Sequence, residues 1–176
     1  MRTLMIHQRL RQLSAHAQLP VFGTQDSACF DIRACLPEGA EIKGYSSKNE
    51  PQTRTILANR SIRLEPYSRV LIPTGWAIEL APRVSLRIYS RSGLALKQGL
   101  IVVNGVGMVD ADYRHEVFVV MSNISGCTSM IEHGDRIAQG ELVPQMQSTE
   151  FSFVTISDED WFTTQRVGGF GSTGKS

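Results

Sequence analysis

Short runs in which large apolar side chains take alternate positions constrain the fold of this chain more than any other feature. Trp76–Leu80 (WAIEL) and Ser85–Ser90 (SLRIYS) show this pattern. A period of two places the apolar side chains on one face of a β-strand. Further apolar runs follow at Gly99–Val103, Glu116–Asn123 and Glu141–Met146. Turn residues recur between them at a spacing of ~8–12 residues, which is typical of a β-sandwich or barrel.

The predicted fold is therefore all-β, and its helical content is small. SGLALKQG (Ser92–Gly99) is the segment that suits one short helix. Residues 43–60 form a polar segment that contains Gly, Pro, Ser and Asn, which predicts a long surface loop or a hairpin extension. With 176 residues the chain is long enough to bury a hydrophobic core as one domain.

Two of the runs are apolar at successive positions rather than at alternate ones. In Leu100–Val103 and Val117–Met121, side chains that point to opposite faces of a strand are all apolar. A strand with one face in water should alternate, so both faces of these strands should be covered. A partner subunit or the chain's own loops would provide this cover, and we favour a partner subunit.

Charge and cysteine content exclude several classes of protein. The formal net charge is +1, which gives no sign of a broad nucleic-acid or membrane surface. The N-terminal residues contain no apolar run of signal-peptide length. The three cysteines include no C-x-x-C pair, which argues against a disulfide framework or a zinc site. We therefore expect a protein of the reducing cytoplasm.

The last residues, GGFGSTGKS (Gly168–Ser176), match the P-loop and the dinucleotide-binding patterns at the same time. Both motifs need a helix after the glycines, and too few residues follow here to form one. We therefore reject both readings. Backbone N–H groups of a glycine-rich segment can converge on an anion, and the nearby Arg166 and Phe170 can bind a phosphate and cover a flat ring. The segment is interpreted as a lid over a nucleotide.

Three internal segments carry side chains that suit phosphate chemistry. YSRSGLALKQG (Tyr89–Gly99) places an arginine and a serine hydroxyl at a predicted strand-to-helix turn. GDRIAQ (Gly134–Gln139) begins with a turn and ends in an amide, and NGVGMVDADYRHEV (Asn104–Val117) concentrates polar side chains around a predicted β-hairpin.

With these segments the sequence resembles the trimeric dUTPase family over nearly its whole length. The matching motifs occur in the family's order: SACFDIRA from Ser27, RSGLALKQG from Arg91, NGVGMVDADYRHEV, GDRIAQ and RVGGFGSTG from Arg166. The chain departs from the usual pattern at Cys29 and His115, and only Val167 separates Arg166 from the double glycine.

The resemblance implies a β-jelly roll assembled as a homotrimer, in which each active site takes residues from every subunit. It implies that residues 1–160 form the β domain and that 161–176 form a flexible arm that closes the active site. The implied reaction is the Mg²⁺-assisted hydrolysis of dUTP to dUMP and diphosphate by attack of water on the α-phosphorus.

The resemblance also implies a role for individual residues. Asp110 would be the general base, Gln139 would orient the water, and Asp31 would act on the metal through coordinated water. Tyr113 would pack against the deoxyribose and exclude a 2′-hydroxyl. The implied substrate-binding residues are Arg91, Ser92, Gly93, Asn104, Gly107, Tyr113, Arg166, Phe170, Gly171, Ser172 and Thr173. Asp112, Arg114, Asp135 and Arg136 are expected to form structural ion pairs.

Two alternatives remain beside this interpretation. A dCTP deaminase shares the fold, but it needs a side chain that activates water near C4 of the base. A binding or regulatory protein built on the same scaffold is the other, and residues 43–60 would then contact a regulatory partner. Regulation of this kind is compatible with catalysis in the same molecule.

Overall fold

The structure is a computed structural model that describes residues 8–146, 152–155, 157 and 159. The chain divides into two compact units, Met1–Gln145 and Met146–Ser176. All the strands and the helix named below belong to the first unit. The predicted boundary at residue 160 lies outside the described residues and stays a prediction.

Thirteen strands and one helix make up the described part of the chain, in agreement with the all-β prediction. In chain order they are β1 (Arg9–Gln12), β2 (Val21–Phe22), β3 (Phe30–Arg33), β4 (Glu41–Tyr45), β5 (Pro51–Thr55), β6 (Ser61–Leu64), β7 (Arg69–Glu79), β8 (Val84–Tyr89), α1 (Ser92–Gln98), β9 (Leu100–Val102), β10 (Gly107–Val109), β11 (Glu116–Asn123), β12 (Ser129–Glu132) and β13 (Arg136–Pro144).

The strands form two larger sheets and a small one. One sheet has the order β5-β4-β7-β11-β9, with β1 also paired to β7, and the other has the order β10-β8-β13-β3-β2. Strands β6 and β12 form the third sheet. Buried side chains from all three sheets, such as Ile72, Leu86 and Ile131, belong to one hydrophobic core cluster. This core holds both large sheets together, because burial of apolar surface is the main favourable term in folding.

The predicted short helix is confirmed as α1. It ends at Gly99, whose φ of 65° is left-handed and whose N–H donates to the carbonyl of Ala95. Glycine adopts this conformation without the cost that a Cβ would add, so it stops the helix directly before β9.

Residues 43–60 contribute a hairpin rather than an irregular loop. Most of β4 and all of β5 lie in this range, and Glu41 pairs with Thr55 across the ladder. The guanidinium of Arg69 lies 4.5 Å from the centre of the Tyr45 ring. The range thus contains one strand and part of another of a β-hairpin, and its role as a surface insert stays a prediction.

The predicted hairpin around Asn104–Val117 is not formed by paired neighbouring strands. Strand β9 pairs with β11 in one sheet, whereas β10 pairs with β8 in the other. The turn between them therefore joins the two sheets. The prediction is wrong because the buried residues of β10, Gly107 and Val109, pair with Ile88 and Leu86 of β8.

The second face of β11 is only partly covered in the single chain. Val117, Val119 and Met121 are buried, whereas Phe118 is 38% exposed on the opposite face. Val103 is 40% exposed, and its N–H donates to the carbonyl of Val120 in β11. The chain's own loops therefore leave this surface partly open.

Candidate active site

The turn between β8 and α1 carries the first group of predicted site residues. Strand β8 ends at Tyr89, and Arg91 caps the helix with its backbone in an extended conformation. The carbonyl of Arg91 accepts the Ala95 N–H at 3.0 Å, which starts the helix. Ser92 and Gly93 are exposed at this turn, so a hydroxyl and backbone N–H groups face solvent beside an arginine.

Asp31 lies next to this turn and contacts two guanidinium groups. Its Oδ1 is 3.3 Å from Nε of Arg91, and its Oδ2 is 3.2 Å from Nη1 of Arg136. The side chain of Asp31 is only 16% exposed, which shields these ion pairs from water more than a surface pair. Arg91 also donates from Nη1 to the carbonyl of Arg136 at 2.8 Å. Strands β3, β8 and β13 thus meet in one polar network.

Gln139 occupies the middle of this network through strand register. On β13 it pairs with Asp31 of β3 on one side and with Tyr89 of β8 on the other. Its amide Nε2 donates to the carbonyl of Ser90 at 3.0 Å. The side-chain amide is therefore held beside the carboxylate and the β8–α1 turn.

A cavity of about 410 Å³ opens at this point. Its lining contains all the predicted phosphate and metal residues that the structure describes: Asp31, Arg91, Ser92, Gly93 and Gln139. Gly23, Ser27, Ala28 and Cys29 complete the wall. Burial, and then the charge of Glu141, raises the pKa of the Cys29 thiol, which favours its neutral form.

The cavity suits a polyanion and a weakly held Mg²⁺ ion rather than a metal bound by protein ligands alone. Asp31 is the single carboxylate in its wall, and the described residues contain no group of three His, Cys, Asp or Glu side chains that would hold a metal. Mg²⁺ keeps several waters and is often bound through one or two carboxylates together with substrate phosphates. The donor set around Asp31 fits this mode.

A second group of predicted residues lies on and after β10. Asn104 is exposed in the turn after β9, and Asp110 is exposed directly after β10. Gly107 is buried opposite Ile88, whose Cβ would be only 3.1 Å from a Cβ at this position. Gly107 therefore permits the close approach of β10 to β8.

Tyr113 belongs to this second group and is firmly held. Its hydroxyl donates to the carbonyl of Glu116 at 2.7 Å, and its N–H donates to the carbonyl of Asp110 at 3.2 Å. The rings of Tyr113 and His115 meet edge to face, with centres 5.6 Å apart. The ring is thus fixed on both its edge and its hydroxyl.

Among the residues that the structure describes, the two groups do not line the same cavity of one chain. Asn104, Gly107, Asp110 and Tyr113 are absent from the lining of the 410 Å³ cavity. Strand β10 pairs with the edge of β8 that faces away from β13. The remaining predicted residues, Arg166, Phe170, Gly171, Ser172 and Thr173, lie outside the described residues.

Sequence reasoning missed two contributors to the cavity region, Ser90 and the role of Arg136. Arg136 does form an ion pair, as expected, but its partner is the predicted metal residue Asp31. Arg114 donates instead to the carbonyls of Ala111 and Tyr113, and Asp135 accepts the Glu132 N–H. The ion pair between Asp31 and Arg136 follows from the register of β3 against β13. A local sequence pattern does not contain that register.

A two-sheet β-protein with a cavity suited to phosphates is the class that fold and site define. Within this class, a family model described as dUTPase matches residues 55–174. Deoxyuridine 5′-triphosphate nucleotidohydrolase of Wolinella succinogenes is 38% identical over 168 residues, which cover 96% of this chain and 94% of that protein. The enzyme of the same name from Caulobacter vibrioides is 36% identical, with 94% and 93% covered. The chain therefore belongs to the dUTPase family of enzymes.

Solved structures share the fold at low sequence identity. The chain is similar to a dUTPase of Staphylococcus bacteriophage 80alpha with dUpNHpp, at a TM-score of 0.73, 19% identity and coverage of 97% of this chain and 100% of that one. A dUTPase of phage phi11 of S. aureus, described with a structural Mg(II) ion, matches at a TM-score of 0.64, 20% identity and coverage of 89% and 100%. The predicted β-jelly roll of the dUTPase type is thereby confirmed.

Proposed function

We propose that this protein is a dUTP diphosphatase, which hydrolyses dUTP to dUMP and diphosphate. The chain belongs to the dUTPase family, and one structural observation supports the proposal. The cavity brings an arginine, a serine hydroxyl and a glutamine amide together with one carboxylate, from three segments that are far apart in sequence. Such a donor set suits a triphosphate chain with its counter-cation.

The β8–α1 turn would bind the phosphate chain. Arg91 supplies a planar guanidinium that bonds phosphate oxygens in pairs, and Ser92 supplies a hydroxyl donor. Apart from its chain neighbours and the backbone of its own helix, no heavy atom of the described residues lies within 4 Å of the place where a Cβ of Gly93 would be, so substrate atoms can approach the backbone closely. Substrate binding would draw Arg91 from Asp31 toward the phosphates.

Asp31 is the residue that would hold Mg²⁺, through coordinated water. When bound, Mg²⁺ supplies charge neutralisation of the phosphate oxygens as diphosphate leaves. Arg136 stays beside Asp31 when Arg91 moves to the substrate, and this remaining ion pair holds the carboxylate in position.

Asn104, Gly107 and Tyr113 would read the nucleoside. The backbone of the turn and the Asn104 amide present donors and acceptors to the uracil edge, and a site built this way discriminates strongly against a base with the reversed pattern. Tyr113 is held by Glu116 at 2.7 Å, so its ring forms a fixed wall against the deoxyribose. A ribose 2′-hydroxyl would collide with this wall.

Asp110 would act as the general base. It removes a proton from the attacking water, the water oxygen bonds to the α-phosphorus, and the bond to the diphosphate leaving group breaks. Gln139 would orient the same water. Asp110 and the phosphate cavity lie apart in one chain, so we infer that a second copy of the chain supplies Asp110.

We propose that the copies form the homotrimer that the family resemblance implies, and this division together with the partly open face of β11 supports association. We propose that residues 161–176 form the arm that closes the site over the nucleotide. Arg166 would bind the γ-phosphate and Phe170 would stack on uracil, with Gly171, Ser172 and Thr173 donating to the phosphates. A regulatory partner at residues 43–60 and a location in the cytoplasm stay predictions. In the part of the chain that the structure describes, no helix is long and apolar enough to cross a membrane.

The test is a nucleotide panel assayed for diphosphate release with Mg²⁺, on the unchanged protein and on Asp110→Asn. We expect release from dUTP far above that from dCTP, dTTP or UTP, and no ammonia from dCTP. Asp110→Asn should lower kcat at least about 100-fold, because the general base is lost, and should keep dUTP affinity within about threefold. Asp112→Asn is the matched control in the same loop and should keep turnover.

Absence of diphosphate release from dUTP by the unchanged trimer would exclude the proposed reaction. An active Asp110→Asn variant would exclude only the role of this carboxylate. Ammonia release from dCTP would favour the deaminase alternative.

A further inference from the structure

Ser90 joins the phosphate-binding turn to the segment that precedes Asn104. It lies between β8 and Arg91, and it makes a separate hydrogen bond with each of two groups. Its Oγ accepts the Val102 N–H at 2.8 Å, and its carbonyl accepts the Gln139 amide at 3.0 Å. The hydroxyl therefore contacts β9, whereas the backbone contacts β13.

The Val102 N–H depends on this hydroxyl. Val103 donates its N–H to Val120 of β11, and the alternation of an antiparallel ladder turns the preceding N–H of Val102 away from β11. Strand β9 is at the edge of its sheet, and no other strand of the described residues accepts this bond on that side. Val102 is only 2% exposed, and a buried N–H without an acceptor is costly.

The turn 103–106 is therefore attached at both ends: one end is bonded to Ser90, which follows β8, and the other end is paired with β8 itself. At its start, Val102 bonds to the Ser90 hydroxyl, and at its end, Gly107 pairs with Ile88. Asn104 lies exposed between these two attachments. Without the first attachment, the start of the turn would be held by the Val103–Val120 bond to β11 and no longer by the residue after β8, while the second attachment would remain.

We propose that Ser90 is a positioning residue for uracil recognition, which acts by holding the turn 103–106 through Val102. The inference rests on the proposed dUTP hydrolysis. Its hydroxyl sets the position of the base-reading turn, and its carbonyl independently orients Gln139. Substitution by alanine removes the first contact alone, because the backbone carbonyl remains.

Ser90→Ala is therefore expected to weaken recognition of the base without weakening recognition of the phosphates. The KM for dUTP should rise about tenfold, the upper end of what one hydrogen bond contributes, while kcat stays within about twofold. Inhibition by inorganic tripolyphosphate, which has no base, should keep its inhibition constant. Ser90→Thr retains the hydroxyl and should restore a KM within about twofold of the unchanged protein.

Ser122→Ala is the matched control on the neighbouring strand. Its hydroxyl is buried and donates to the carbonyl of Ser68 at 2.9 Å, so the substitution also removes one buried hydroxyl bond. Ser122 pairs with Ile101 of β9, but its hydroxyl bonds to Ser68 rather than to Val102, and it is absent from the lining of the 410 Å³ cavity. If both serine variants raise KM equally, or if Ser90→Ala weakens tripolyphosphate as much as dUTP, the positioning role is refuted.

Amide hydrogen exchange provides a measurement that does not depend on any variant. In the unchanged protein the Val102 amide should be protected although it lies in an edge strand, and exchange at the rate of an open chain would overturn the proposal. Failure of the proposed function is recognised separately, since the unchanged protein would then release no diphosphate from dUTP. An active unchanged protein with a Ser90→Ala variant of equal KM refutes only the inference about Ser90.

Discussion

At the scale of single residues, His133 fastens the segment after β3 to the turn before β13. The ring Nδ1 of His133 accepts the backbone N–H of Leu36 at 3.0 Å. The backbone N–H of His133 donates to the carbonyl of Arg60 at 2.8 Å. The ring of His16 meets that of His133 edge to face. Strands β3 and β13 carry Asp31 and Gln139, so this contact supports the frame of the cavity.

The charge state of His133 gives a stability prediction. Burial, then the positive charge of Arg60 and then His16 lower the pKa of His133 below 6.5. As the pH falls below about 6.5, the unfolded chain binds the proton more readily than the folded chain, so stability falls with falling pH. Protonation of Nδ1 would also break the bond from Leu36.

His133→Asn should remove part of this pH dependence, because the amide oxygen can accept the Leu36 N–H without titrating. We expect the fall in melting temperature between pH 8 and pH 5.5 to be smaller in the variant than in the unchanged protein. At pH 8, where both side chains are neutral, the two should differ little. Identical slopes would show that His133 does not control acid stability.

At the scale of elements, the long strand β7 changes its pairing partner near Gly75. Its first residues pair with β4 and its last residues pair with β1, whereas β11 pairs with β7 both before Gly75 and again at Ala77. Gly75 has a φ of 76°, and its carbonyl accepts the Leu13 N–H at 2.8 Å. The register of β11 shifts opposite this point, between Glu116 and Phe118. A glycine therefore makes the bend that lets one strand serve several partners.

Gly75→Ala should destabilise the protein by more than about 2 kcal/mol, measured by denaturant unfolding. The backbone would be strained, and the new Cβ would lie 2.6 Å from Cβ of Ala17 and 2.7 Å from Sγ of Cys35. Gly39→Ala is the matched control, because φ is 81° there but nothing lies within 4 Å of a new Cβ. It should cost only about 1–2 kcal/mol. Equal losses at both positions would contradict a role for the close contacts.

At the scale of the whole molecule, the single chain leaves two things incomplete. One apolar face of β11 stays partly exposed around Phe118, and the two groups of site residues lie apart. A second copy of the chain on this face would cover the apolar surface and would bring the two groups of site residues into one site. Association and catalysis should therefore be lost together.

Phe118→Glu tests this coupling. A carboxylate buried at an interface without a partner is costly, so the variant should dissociate at concentrations at least about tenfold higher than the unchanged protein. Turnover should fall in proportion to the remaining oligomer. Leu57→Glu, at a site that is 68% exposed in the turn after β5, is the control and should leave the assembly intact. A monomeric Phe118→Glu variant with full activity would contradict a shared site.

The sequence alone indicated five of the thirteen described strands, β7, β8, β9, β11 and β13, and the short helix. Alternation in β8, the Ser92–Gly99 segment and the motif residues are local patterns, because side-chain direction along a strand or helix depends only on neighbouring positions. The resemblance to the dUTPase family supplied the candidate site residues and their roles. It could do so because each of the matching motifs is a short stretch of sequence.

Only the tertiary structure decided which segments meet. The pairing of Asp31 with Gln139, the ion pair of Asp31 with Arg136 and the bond from Val102 to Ser90 each depend on strand register. Strands β9 and β10 are close in sequence but enter different sheets. Register between distant strands is set by the packing of a common core and by turn geometry, and a local pattern carries no information about either partner.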